Sequence, residues 1–148
     1  MAETATATAA ATTTERTRAT VQEFLARMAA GDAEGIGELF AERVDWLIAE
    51  NPDVPWVRPR PTRADAVAHF RELAEAVTPD PEGNTIDAIV VEETEAVVTG
   101  TLAGTVRATG RRYWSPFAVR ATVEDGLITR YRVYEDSRMF AAACAPRS

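Results

Sequence analysis

The stretch AAGDAEGIGELFAERV, Ala29 to Val44, decides the fold. Gly31 stops a preceding helix, because only a residue without Cβ enters the left-handed turn that closes a helix at no steric cost. Asp32 can cap a second, shorter helix carrying Ile36, Leu39 and Phe40,. The run from Val44 to Ala49 then reads as a strand,. Two helices joined by a tight turn therefore feed directly into a sheet.

Upstream, Val21, Phe24, Leu25 and Met28 recur at helical spacing and predict a first helix from Thr14,. The segment Met1 to about Thr13 is almost wholly Ala and Thr, without periodicity, and is expected to be disordered,. Downstream, Asn51 to Pro61 holds four prolines around Trp56, which rules out helix and predicts an ordered crossover or rim loop,. Thr62 can cap a third helix with Val67, Phe70, Leu73 and Val77 on one stripe, ended by Pro79 and Pro81,.

After Gly83 the pattern changes period. Ile86 to Glu92, Ala96 to Arg107, Arg112 to Val123 and Leu127 to Glu135 are rich in β-branched or aromatic residues and predict an antiparallel meander,. Glu124-Asp125-Gly126 is its clearest turn,. Phe117, Val119, Ala121 and Val123 share one face of the third run,. On the last run Tyr131, Val133 and Glu135 share a face, and Arg130 and Arg132 take the other. The expectation is one α+β domain, from Thr14 to about residue 140, with three N-terminal helices packed on a curved antiparallel sheet that encloses a pocket. Residues 141–148 are expected to be a short tail.

Composition sets outer bounds. The chain has 148 residues, 46% of them hydrophobic, which suits one domain with a core,. A formal charge of −7 would meet a phosphate backbone with repulsion, so nucleic acid is disfavoured as a partner,. One cysteine, Cys144, allows no internal disulfide, and with one histidine leaves no Cys/His zinc set,. No apolar run approaches a membrane span, and the N-terminus lacks the pattern of an export signal. A cytoplasmic location is the expectation. Glycine-rich phosphate loops, HExxH and a contextual Ser/His/Asp set are absent, so no cofactor and no metal are expected.

The segments GDAEGIGELFAERV, TRADAVAHFREL and GLITRYRVYEDS, together with the proline-bearing crossover, resemble the NTF2-like superfamily in its SnoaL-like branch, over about Thr14 to Met139. That branch includes ketosteroid isomerases, polyketide cyclases and limonene-type epoxide hydrolases. The resemblance implies a cone-shaped α+β fold with an interior pocket for a small molecule, and a homodimer built through the sheet. It does not by itself imply a reaction.

Family catalytic residues, carried over one position at a time, are mostly lost. The isomerase Tyr and two Asp fall on Phe24, Ile48 and Val119 or Ala118, none of which donates or accepts a proton,. The epoxide-hydrolase Arg and two Asp fall on Gly100, Leu102 and Val133. The cyclases use a cavity Asp, and only Glu135 can substitute for it. Glu135 is the candidate acid/base, since a carboxyl facing an apolar cavity has its charged form disfavoured. The opposite expectation is that it bends to solvent and pairs with an Arg.

Tyr113 and Tyr131 share the inward parity and can donate hydrogen bonds to a substrate oxygen. Phe24, Met28 and Phe70 on the helices, and Trp46 and Ile48 on the first strand, are expected pocket walls. Leu102, Phe117, Val119 and Val133 would continue that wall on the meander. Trp56 can act as a lid. Glu50 and His69 are candidates for the pocket mouth, with His69 facing rim or solvent. Arg107, Arg120, Arg130 and Arg132 lie on the outer face, where they can pair across a dimer interface. The expected function is a cofactor-independent cyclase, isomerase or dehydratase acting on an apolar, oxygenated small molecule in secondary metabolism. The alternatives are a non-catalytic binding or accessory protein, and an epoxide hydrolase with relocated carboxylates such as Glu135 with Glu50.

Overall fold

The structure is a computed structural model and describes residues 11–146. The disorder expected from Met1 to Thr13 falls mostly outside the described residues. Thr12 starts the fold with a capping box: its hydroxyl accepts from Glu15 N at 3.1 Å and its own N–H donates to Glu15 Oε1 at 2.8 Å,. The first helix, α1, is Thr13–Ala29, and it buries Thr17, Val21 and Phe24. Its end is Gly31 at φ +69°.

Asp32 then caps α2, Ala33–Gly37, by accepting from Gly35 N at 2.9 Å. This helix is shorter than expected, and Leu39 and Phe40 do not belong to it. Gly35 and Gly37 weaken helix propagation. Phe40, with no exposed surface, is instead the first residue of β1, Phe40–Ile48. Gly37 also allows α2 to lie against the next helix, because a Cβ there would come 2.3 Å from Val67 Cγ2.

The proline loop is ordered and packed, with Val54 and Trp56 buried. It leads to Thr62, which caps α3, Arg63–Ala76, through a second capping box with Asp65. Val77–Pro79, expected to end the helix, forms a short edge strand, β2, on which proline costs no ladder bond,. Strands β3 (Thr85–Glu92), β4 (Glu95–Val106), β5 (Arg111–Glu124) and β6 (Leu127–Glu135) follow. Asp136 caps a fourth helix, α4, Ser137–Cys144, where a tail was expected.

The sheet runs β1-β6-β5-β4-β2, and β3 pairs with β4 further along the edge that β2 occupies. It is antiparallel except at one place: β1 lies parallel to β6, with Trp46 beside Tyr131 and Ile48 beside Val133. On the outer face the arginines are engaged within their own chain. Asp45 accepts from Arg130 at 3.1 Å and Arg132 at 2.9 Å, Arg120 meets Glu95 at 3.0 Å, and Arg107 donates to Thr78 Oγ1 and the Glu75 carbonyl.

The interior divides into two apolar clusters. One gathers α1, α3 and the middle of the sheet around Phe24, Phe40, Phe70 and Tyr131. The other joins the proline loop, β4, β5 and α4 around Trp56, Tyr113 and Phe140.

Candidate active site

The register of β5 on β6 sets which side chains face inward. Ala121 stands opposite Tyr131, Val119 opposite Val133 and Phe117 opposite Glu135. Paired residues share a face, so Glu135 follows Tyr131 and Val133 toward the interior. It is half-buried, and among the described residues its carboxylate makes no ion pair or hydrogen bond. The arginine pairing that would have made it an ordinary surface acid is absent among these residues.

Two other glutamates show what a partner would do. Burial pushes Glu72 upward, but hydrogen bonds from Arg60 and Arg58 outweigh it and hold the carboxyl below its ordinary range,. The same competition, won by Thr122 and Arg120, holds Glu95 low. At Glu135 burial acts unopposed, and the carboxyl is pushed up to about 7,. It is therefore poised between acid and base near neutrality.

Two tyrosines feel that carboxyl. Burial first, and the Glu135 charge second, push Tyr113 up to about 12 and raise Tyr131 as well. Both phenols stay protonated at neutral pH, which makes them hydrogen-bond donors rather than bases. No hydrogen bond of either hydroxyl occurs among the described residues.

Tyr131 is walled by rings. Phe24 and Phe40 lie 5.6 Å away, Phe70 5.9 Å and Trp46 4.7 Å. The Trp46 indole N–H is buried without a partner among the described residues. Met28, Ile48 and Phe117 pack half-buried against this cluster, while Val119 and Val133 are part of it. Of the expected pocket walls only Trp56 and Leu102 lie elsewhere, in the second cluster.

Several expectations are corrected. Trp56 is no mobile lid: it is buried, edge-on to Phe140 at 6.4 Å. His69 does not face rim or solvent. It is 3% exposed, 4.8 Å from Trp46, and its Nδ1 lies 3.3 Å from the Trp56 carbonyl oxygen, to which it donates. The proline loop folds over this flank of α3, and burial, aided by the Arg60 charge, pushes the imidazole down to about 4. Glu50 is exposed beyond the end of β1, and Glu135 is raised by burial without any contribution from it.

Between helices and sheet, the rings of Phe24, Phe40, Trp46 and Phe70 crowd around Tyr131. A cavity of about 420 Å³ lies beside the second cluster, lined by Pro55, Trp56, Glu75, Ala76, Val106, Arg107, Ala108 and Cys144. A groove of about 410 Å³ runs between α2 and α3. Among the described residues no three His, Cys, Asp or Glu side chains gather as a metal site would need.

One buried cation escaped the sequence reading. Arg60 is 2% exposed, donates to the Trp56 carbonyl at 3.1 Å and pairs with Glu72 at 2.9 Å. Nothing in a proline-rich loop separates such an arginine from a surface one. Ser115, fully buried, accepts from Asp136 N at 2.8 Å and fixes the exit of β6 just past Glu135.

A family model described as a SnoaL-like domain matches residues 21–131, and so ends short of Glu135 and α4. An NTF2-like protein from Burkholderia xenovorans LB400 is 26% identical, with a TM-score of 0.78 over 89% of this chain and 98% of its own. A candidate polyketide cyclase from Silicibacter sp. TM1040 is 20% identical, with a TM-score of 0.72 over 86% of this chain and 93% of its own. An LEH-like epoxide hydrolase from M. tuberculosis is 15% identical, with a TM-score of 0.67 over 88% of this chain and 90% of its own. The likeness to these last two shows the fold, which is the NTF2-like cone. No curated protein matches the chain.

Proposed function

The chain belongs to the SnoaL-like domain family, and from that premise we propose that it is a cofactor-independent acid/base enzyme of cyclase, isomerase or dehydratase type. Its substrate is an apolar, oxygenated small molecule. The observation that carries this is Glu135: inward, half-buried, without an arginine partner among the described residues, and with a carboxyl pushed up to about 7.

In the proposed step the Glu135 carboxylate takes a proton from a carbon next to a carbonyl. The C–H electron pair moves into an enolate, whose oxygen accepts a hydrogen bond from Tyr131 or Tyr113. The neutral Glu135 then returns the proton, either to another carbon or to a departing hydroxyl, which leaves as water. A group with a pKa near the working pH serves both directions.

Glu135→Gln tests this, since it keeps the shape and removes the exchangeable proton. A fall in turnover of about 10²-fold or more, with thermal stability retained at neutral pH, supports the assignment. Full activity in the variant overturns it.

A second reading, a non-catalytic binding or accessory protein, draws support from the aromatic crowding around Tyr131. A ligand recovered unchanged after long incubation would favour it. The epoxide-hydrolase alternative loses its second carboxylate with Glu50 exposed. For assembly we propose a homodimer through the outer sheet face, where Leu47, Trp114 and Tyr134 are exposed. Among the described residues no helix is long and apolar enough to cross a membrane. A cytoplasmic location in secondary metabolism, without nucleic-acid partners, completes the proposal.

A further inference from the structure

Past Glu135 the sheet loses a strand. β4 keeps pairing with β5 through Thr101 and Pro116 as far as Val106 and Arg111, whereas the pairing of β6 with β5 stops at Glu135 and Phe117. Pro116 is the next residue of β5 and brings no N–H to a ladder, so the two strands part where it stands,. Glu135 is thereby the last residue of β6, and Asp136 already caps α4 by accepting from Met139 N at 3.1 Å. The last pair of a ladder frays first, and a carboxyl on a frayed end turns to water.

Ser115 closes that end. It is fully buried on the inward face of β5, with Tyr113 and Phe117 to either side on its own strand and Leu102 opposite on β4. Alanine would fill such a core position as well, so the buried hydroxyl needs a reason. Both of its bonds are to backbone: it accepts from Asp136 N at 2.8 Å and donates to the Pro116 carbonyl at 2.7 Å. The first N–H beyond the β6 ladder thus finds its acceptor in a side chain of β5 once backbone pairing has ended. The helix that follows has a separate tie, since Asn51 Nδ2 donates to the Ser137 carbonyl at 2.8 Å. Ser115 therefore bears on the peptide that follows Glu135 rather than on α4 as a whole.

We propose that Ser115 is the positioning residue of Glu135: its hydroxyl anchors the Glu135–Asp136 peptide to β5 and so keeps the carboxyl turned toward the interior. The role of that carboxyl as acid and base rests on the assignment above, while the anchor rests on the geometry at Ser115. Burial acts on Glu135 without a counter-charge. Tyr113 from β5 and Tyr131 from β6 feel it as neutral phenols, whereas Glu50 after β1, Asp136 and Arg138 at the start of α4 are exposed and take no part in its rise. A change that lets the carboxyl swing outward therefore shows directly in its titration.

The experiment is the titration of Glu135 by carboxyl-labelled NMR in wild type, Ser115→Ala, Ser115→Cys and Ser115→Thr. Wild type is expected to titrate at about 7, and Ser115→Ala at least halfway from there toward 4.5. Ser115→Thr keeps the hydroxyl and should titrate as wild type does, and Ser115→Cys, a weaker acceptor, should fall between. Gly37→Ala in α2 lowers stability without touching this junction and should leave the titration unmoved. A folded Ser115→Ala in which Glu135 titrates as in wild type overturns the proposal, and so does an equal shift in Gly37→Ala. If Ser115→Ala does not fold, a Ser115→Cys protein that titrates as wild type overturns it instead. Wild type titrating at about 7 with Ser115→Ala unmoved removes the anchor and leaves the acid/base assignment standing. A lowered titration in Ser115→Ala together with full activity of Glu135→Gln does the reverse.

Discussion

Glu135 stands opposite Phe117 across β5 and β6, whereas on the outer face of the same two strands Arg120 stands opposite Arg132 and both find acidic partners. The arginines are placed one parity away from the one acid that would need them. That offset leaves Glu135 to burial alone.

A pH dependence of stability follows from this. The folded-state pKa of Glu135 lies near 7, above the value of 4.5 it would have unfolded, so the folded protein binds the extra proton between those limits. Folding is favoured by this group below about 4.5, and the advantage is lost as pH rises through 7. Glu135→Gln, which never ionises, should gain on wild type by on the order of 1 to 2 kcal/mol at pH 8, given the half exposure of the site. At pH 4 the gain should vanish. Urea unfolding of both proteins at the two pH values measures it.

His69 acts with the opposite sign. Its folded pKa of about 4 lies below the ordinary 6.5, so the unfolded chain binds the proton first as pH falls. The stability it allows is present above 6.5 and is lost progressively toward 4. His69→Phe should be less stable than wild type at pH 7, through the missing bond to the Trp56 carbonyl, and should lose roughly 2 kcal/mol less on going to pH 4. Parallel melts across that range would show the two curves converging.

Gly37→Ala should destabilise by about 1 to 3 kcal/mol, because the new Cβ would come 2.3 Å from Val67 Cγ2 and one of the two must shift,. Val67→Ala in the same protein should recover part of that loss. A double-mutant cycle with no coupling between the two positions would contradict the contact.

Asp45→Asn should matter little. Asp45 is 46% exposed, and its hydrogen bonds from Arg130 and Arg132 hold its carboxyl low but lie in solvent. The expected cost is about 0.2 to 1 kcal/mol, shrinking further in high salt. Thermal melts at low and high ionic strength would check it.

Much of this architecture is legible in the chain. The four long strand segments were readable to within a residue at each end, because alternation and polar turns are strictly local signals. Thr62 and Asp32 announce their helices through side chains that can only serve as caps there. Glu135 was legible by parity counted from Tyr131. What escaped depends on distant partners. Phe40 looks helical until β6 claims its neighbourhood, and β2 exists only because β4 offers an edge. Nothing near Ser137 to Cys144 says that Asn51, Thr109 and Arg111 will hold it as a helix. His69 sits on the flank of its stripe, and its burial is decided by a loop that begins eighteen residues earlier at Asn51.

The parallel pairing of β1 with β6 carries a consequence for synthesis. Trp46 meets Tyr131, and Asp45 meets Arg130, 85 residues further along the chain. During translation β1 leaves the ribosome with no strand to bond to, and the aromatic cluster stays without Tyr131 until nearly the whole domain has emerged. Closing so long a loop is slow relative to the hairpins β4–β5 and β5–β6, which form from adjacent sequence. The meander is thus the template on which the N-terminal half settles, and a nascent chain halted before Leu127 exposes the apolar residues of β1 to whatever chaperone waits at the exit.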